Sequence, residues 1–210
     1  MIVMPRWNVL LPTAAVVLAT FTLTTAPAHA QVVKPFKIKG SGEGPTGLPI
    51  PGQDPRMHWI VGEATHLGRH YGEGSVQTDS AEFDPATGKI VGEFGSGSPF
   101  VFVGANGDRP NGDDANGDRL VTWYGRTDRG ASEPGTFTLT IVGFLGNAPI
   151  VQAAWVAEFV AVPDQSTGKF AGVTGSWIMY AFSEPFVLGS NDPVAYWWEG
   201  EGSLTFRKGK

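Results

Sequence analysis

The chain has no cysteine in its 210 residues. That removes disulfides, thiolate zinc sites, thiol nucleophiles and CxxC redox motifs together. Cationic charge is also scarce, with Lys and Arg at 15 against 20 Asp and Glu and a formal charge of -5. Nucleic-acid binding needs a clustered basic footprint, so no nucleic-acid partner is expected. Histidine is limited to four residues, and neither G-x-S-x-G nor H-E-x-x-H occurs, so no serine triad or zincin pattern is legible. After residue 30 no apolar run approaches the ~20 residues of a spanning helix, and no membrane span is expected in the mature chain. Glycine and proline are abundant instead, at 29 and 16 residues. Glycine costs ~1 kcal/mol at a helix-interior site, which argues against a helical bundle. An aromatic share of 11% is too large for a disordered chain.

Residues 1–30 have their own texture. Arg6 gives a positive start, Val9 to Leu23 is mostly apolar though broken by Pro12 and Thr13, and Ala28-His29-Ala30 has the small-x-small form of a cleavage site. This is the layout of a secretory signal peptide, so the protein is expected to be secreted or periplasmic after cleavage near Ala30. Export permits disulfides, yet none can form, and stability must come from the core. Residues 31–56, with Gly40-Ser41-Gly42-Glu43-Gly44-Pro45 and Leu48-Pro49-Ile50-Pro51-Gly52, read as an irregular Gly/Pro-rich lead-in. A single domain is expected over 57–210.

From Met57 short β-like runs alternate with turn signals. They begin with His58 to Ala64, Tyr71 to Thr78, Ile90 to Phe94, Pro99 to Val103 and Leu120 to Tyr124. Thr136 to Val142 alternates polar and apolar residues as a half-buried strand does. Ile150 to Val162 is rich in Val, Trp, Phe and Ala between Pro149 and Pro163, and reads as strand rather than helix. Trp177 to Phe182 and Tyr196 to Phe206 complete about nine strands, the pattern of an antiparallel barrel or sandwich. Closure removes exposed edges, and glycines inside strands (Gly62, Gly72, Gly74, Gly92) suit the bends of a small barrel. A closed barrel is therefore the expected fold, with a β-sandwich as the alternative.

Several motifs invite a chemical reading. Gly42-Glu43-Gly44-Pro45-Thr46-Gly47 matches G-x-G-x-x-G, but Pro45, Pro49 and Pro51 deny it the helix that a dinucleotide site requires. Ala105-Asn106-Gly107-Asp108-Arg109 recurs as Ala115-Asn116-Gly117-Asp118-Arg119. Asn-Gly favours hairpin turns, while Asp108, Asp113, Asp114 and Asp118 are hard oxygen donors and a calcium candidate. The EF-hand pattern starts at Asp114 and then fails, with Arg119 in place of Gly and Gly125 in place of Glu. His66 and His70 are four apart, which on a strand is ~13 Å, too far to share one ion. Among the glutamates, Glu63 and Glu158 lie within apolar runs and are the candidate general acids if they face an interior. Tyr196-Trp197-Trp198, with Trp59, His66, Trp123, Trp155 and Trp177, are the candidate lining of a cavity for an apolar or carbohydrate ligand, with core filling as the plainer role for such rings.

Two segments carry a family resemblance. Gly62-Glu63-Ala64-Thr65-His66-Leu67-Gly68-Arg69 resembles a G-x-A-T-H-L-G-[RK] signature of uncharacterised exported bacterial proteins. Thr167-Gly168-Lys169-Phe170-Ala171-Gly172-Val173-Thr174-Gly175-Ser176 resembles their TGRFAG-x-x-G-[ST] segment, and also the G-T-G-x-F turn of the allene-oxide-cyclase and dirigent-like barrels. The resemblance implies an antiparallel barrel of about eight strands with a central cavity, and carries no activity across. Three functions follow as expectations. The leading one is non-catalytic binding of a small apolar or aromatic ligand in the barrel. The others are a cyclase or isomerase using a buried carboxylate, and a structural module of the cell envelope with a filled core. No cofactor beyond the calcium candidate is expected.

Overall fold

A computed structural model describes residues 31–45, 48–104 and 117–207. The signal-peptide reading of 1–30, and Asp108, Asp113 and Asp114, lie outside the described residues. The described residues are all-β, with twelve strands in one antiparallel sheet. They are β1 (Gln31–Pro45), β2 (Arg56–Ala64), β3 (Gly68–Thr78), β4 (Glu82–Asp84), β5 (Lys89–Ser96) and β6 (Phe100–Gly104), then β7 (Arg119–Tyr124), β8 (Gly135–Leu145), β9 (Ala148–Ala161), β10 (Thr174–Ser183), β11 (Phe186–Val187) and β12 (Pro193–Arg207). The only helical turns among the described residues are short 3-10 segments at Thr127–Arg129 and Gly168–Phe170.

The strands follow one another as a partial ring. Their order is β10-β12-β1-β2-β3-β6-β7-β9, and β9 also pairs with β10. Between β3 and β9 the sheet forks. The first half of β3 pairs with β6, from His70 to Glu73, and its last residues, Val76 to Thr78, pair with β5. Likewise β9 pairs with β8 from Ala148 to Val156 and with β7 only at Phe159 to Ala161. The two branches, β6–β7 and β5–β8, stack along the length of the ring and together cover that side of the core.

One expectation needs correction here. Residues 31–45, read as irregular lead-in, form β1, which pairs with β12 from Gln31↔Arg207 to Pro45↔Pro193 and with β2 from Ile38↔Ala64 to Glu43↔Trp59. The cause is visible in the alternation. Phe36 and Ile38 are buried, Lys37, Lys39, Ser41 and Glu43 are exposed, and Gly40, Gly42 and Gly44 continue the inward row. A strand whose inward positions are glycines shows no hydrophobic period to a reader of sequence. Glycine is required there by close approach: a Cβ on Gly40 would run into the Val61 carbonyl, and one on Gly62 into the Lys39 carbonyl.

Glycines elsewhere in the interior make room for rings. Gly72 and Gly74 on β3 lie under Phe100, whose side chain would stand 2.8 and 2.5 Å from a Cβ at those positions. Gly200 on β12 similarly lies against the Trp177 ring, which would stand 2.9 Å from a Cβ there. The result is a continuous aromatic core. Trp177 stacks on Phe159 at 5.3 Å, Phe159 on Tyr124 at 4.7 Å, and Phe102 meets Phe100, Phe159 and Trp177 within 6.0 Å. Alternating large and small residues across facing strands is how a narrow ring reaches interior packing density.

Candidate functional site

The period-2 alternation of β2 sends Arg56, His58 and Ile60 to the inside, and the same alternation on β12 sends Val194, Tyr196 and Trp198 inward. Opposite His58 in the β2–β3 register is Gly74, so the imidazole has space to lie against the Phe100 ring, 5.0 Å away. Tyr124 arrives from the end of β7 and is 1% exposed. The three side chains form one chain of hydrogen bonds. His58 Nδ1 is 2.8 Å from the Tyr196 hydroxyl, His58 Nε2 is 2.9 Å from the Tyr124 hydroxyl, and Tyr124 donates to the Ser75 carbonyl at 3.0 Å.

These bonds settle the imidazole tautomer. Tyr124 has a single proton and gives it to a carbonyl, so His58 Nε2 must carry the hydrogen between them. In a neutral ring Nδ1 then holds the lone pair and accepts from the Tyr196 hydroxyl. Burial pushes the His58 pKa down to about 4, which keeps the ring neutral through the physiological range. Burial likewise pushes both tyrosines above their usual range, with the neighbouring Tyr196 adding to the rise at Tyr124.

Beside this chain is a cavity of about 130 Å³. Its apolar walls come from β5, β8, β9 and β10, with Phe94, Leu139, Trp155 and Met179. His58, Tyr124, Tyr196, Arg56 and Thr78 bring polar groups to it, and Gly44 and Phe186 also line it. A small apolar hollow with a few convergent polar atoms is the usual form of a ligand site. A broader groove of about 810 Å³ crosses the outer face of β10, β12, β1, β2 and β3. One side carries Phe182, Trp197, Val61 and Tyr71. The other carries Glu199, Lys39, Glu63 and Arg69 in cross-strand register, alternating in charge. Opposite charges facing each other across the strands favour this pairing, and the buried His70 and Trp198, from the inward rows of β3 and β12, also line the groove.

The residues singled out in the sequence fall in different places. Trp155 lines the cavity and meets Tyr196 edge-on at 6.0 Å. Trp177 is 1% exposed in the packed core. Trp59 points outward and is exposed, and Trp123 lies under the Arg129 guanidinium at 4.9 Å. His66 sits in the β2–β3 turn with φ 68 and its ring against Phe206. The adjoining Thr65, rather than His66, ties the turn down, through its hydroxyl and the Lys37 amide and carbonyl. His70 is buried, with Nδ1 on the Gly68 carbonyl at 3.3 Å.

Neither candidate carboxylate faces the interior. Glu63 is exposed on the outer face. Glu158 is half-buried on the outer side of β9 and accepts from the Ser132 amide and hydroxyl, both at 2.6 Å. Burial raises its pKa, but these bonds more than reverse that and hold it below the usual value, so it is a carboxylate and not an acid. Each belongs to the outward set of its alternating strand, which is why a buried general acid is not formed. Asp118 binds the Lys169 amide at 2.9 Å and its ammonium at 2.7 Å, closing the turn before β10. Among the described residues no three metal-ligating side chains cluster. No helix among them is long and apolar enough to cross a membrane.

Sequence reasoning named Tyr196 as a cavity residue but passed over His58 and Tyr124. The signal was parity, because His58 alternates with Ile60 and Tyr196 with Trp198, which places a polar ring in each inward row. Neither a protein-family model, nor a curated protein, nor a solved structure matches the chain.

Proposed function

We propose that this chain is an exported protein whose ring is a small closed β-barrel, resembling the allene-oxide-cyclase and dirigent-like class. Its role is to hold a small apolar or aromatic ligand, without chemistry of its own, in the cavity beside His58 and Tyr196. Export rests on the signal-like residues 1–30. Closure is supported by the run of pairings that leads from β10 through six intervening strands to β9 and back. The ligand role rests on one observation: an apolar cavity of about 130 Å³ in an otherwise aromatic-filled interior, with His58 and Tyr196 on its wall. An engineered apolar cavity of ~150 Å³ admits benzene, so a single six-membered ring is the right size. Interior carboxylates, which a cyclase or isomerase of the expected kind would need, are not part of this cavity.

The test is thermal unfolding and calorimetric titration of the purified chain with benzene, toluene and indole. Saturable binding with a rise in melting temperature is expected, together with its loss in Ala181→Leu, which fills space at a buried lining position. A chain that none of these compounds stabilises, or an Ala181→Leu variant that is well folded and binds equally, overturns the proposal.

A further inference from the structure

The direction of the hydrogen bonds through His58 decides what the cavity asks of its occupant. Tyr196 is 2.8 Å from Nδ1 and has one proton, and the tautomer fixed by Tyr124 and Ser75 commits that proton to His58. Toward the cavity the Tyr196 oxygen therefore presents only lone pairs. His58 has neither a hydrogen nor a lone pair left, since both ring nitrogens are engaged. Phe94, Leu139 and Met179, on the opposite walls, offer no acceptor. We infer that the cavity selects single-ring compounds bearing a hydrogen-bond donor, of which phenol is the simplest, and that the Tyr196 hydroxyl oxygen is the acceptor that sets this preference. The inference rests on the reading of the cavity as a ligand site.

An acceptor-only ring would meet the Tyr196 oxygen lone pair to lone pair. A ring with no polar group would leave the lone pairs of that oxygen without a donor and lose nothing further. Arg56 also lines the cavity and carries only donors, which serve phenol and anisole alike, so the Tyr196 acceptor is read from phenol binding more tightly than anisole. A single neutral hydrogen bond corresponds to about a three- to tenfold gain in affinity for phenol over anisole. Of the other lining hydroxyls, Tyr124 is engaged by His58 and the Ser75 carbonyl, while Thr78 remains a competing acceptor, so its removal must be part of the test.

Calorimetric titration of the full chain with phenol, toluene and anisole reads the order directly. Thr78→Val is expected to keep the preference for phenol. The double variant His58→Phe, Tyr196→Phe removes both the acceptor and the ring nitrogen that would stand in for it, and is expected to lose the preference for phenol over anisole. If toluene or anisole binds as tightly as phenol, or if Thr78→Val abolishes the preference, the inference fails while the ligand site stands. If none of the three binds, the ligand-site reading fails as well. Nitrogen NMR of the imidazoles gives a readout that needs no variant: His58 protonated at Nε2 is expected, and protonation at Nδ1 overturns the inference.

Discussion

Acidification should destabilise this protein in a window set by His58. Its pKa falls from 6.5 to about 4 on folding because the imidazole is buried. Between those two values the unfolded chain binds a proton that the folded chain refuses. Stability is therefore whole above pH 6.5, declines as pH falls toward 4, and levels off below it. At ~1.4 kcal/mol per pKa unit the full loss is about 3 kcal/mol, and about 2 kcal/mol of it is gone by pH 5. That is a large part of the ~5–15 kcal/mol by which domains are stable. His70, lowered in the same sense mainly by burial, steepens the slope. Carboxylates held low in the fold, Asp84 through Thr87 and Glu158 through Ser132, lose their contribution only as pH falls through the range below their ordinary values of 3.8 and 4.5. The window above pH 5 thus belongs to the histidines. Urea unfolding at constant ionic strength from pH 7.5 to 4.5 measures the slope, and His58→Phe should flatten it to the share left by His70. A wild-type stability that is level from pH 7 to 5, or a His58→Phe profile as steep as the parent's, would refute the reasoning.

Three further substitutions probe the architecture. Gly74→Ala puts a Cβ 2.5 Å from the Phe100 ring and 3.0 Å from the Phe100 Cα, and overpacking of this kind should cost about 1–3 kcal/mol in urea unfolding. Phe159→Ala removes the ring between Trp177 and Tyr124, and should cost about 3–5 kcal/mol by the same measurement. Glu158→Gln should cost about 1–2 kcal/mol, since two short bonds from Ser132 lose their charge. Glu63→Gln, on the exposed face, should change stability by less than about 0.5 kcal/mol and leave toluene binding untouched.

Much of the sheet was legible because most strands alternate visibly. β8, with Phe137, Leu139 and Ile141 against Thr136, Thr138 and Thr140, is readable by period alone, and β9 was recovered as a strand from its Val, Trp and Phe content. β1 was not legible, because half of its inward row is glycine and because Gly40 and Gly62 are chosen by the backbone of the facing strand, which a single segment does not display. The short β4 and β11 carry too few residues for any period. Of the cavity, Trp155 was foreseen. Of its polar side only Tyr196 was, since His58, Tyr124 and Tyr196 lie on three strands far apart in sequence and only the pairing order brings them together. The opposite error occurred at Glu63 and Glu158, where apolar neighbours suggested burial although the strand period sends both outward.

The pairing of β1 with β12 also has a consequence for assembly. The register joins Gln31 to Arg207, so the first described strand waits for the last before its second edge is covered. A chain emerging amino end first exposes that edge throughout its passage, and non-local pairing of this kind is slow to form. Lys34, Lys37 and Lys39 stand exposed on β1, where like-charge repulsion discourages a neighbouring copy from pairing with it. The lysines guard the strand while it is alone, and the carboxyl-terminal strand relieves them.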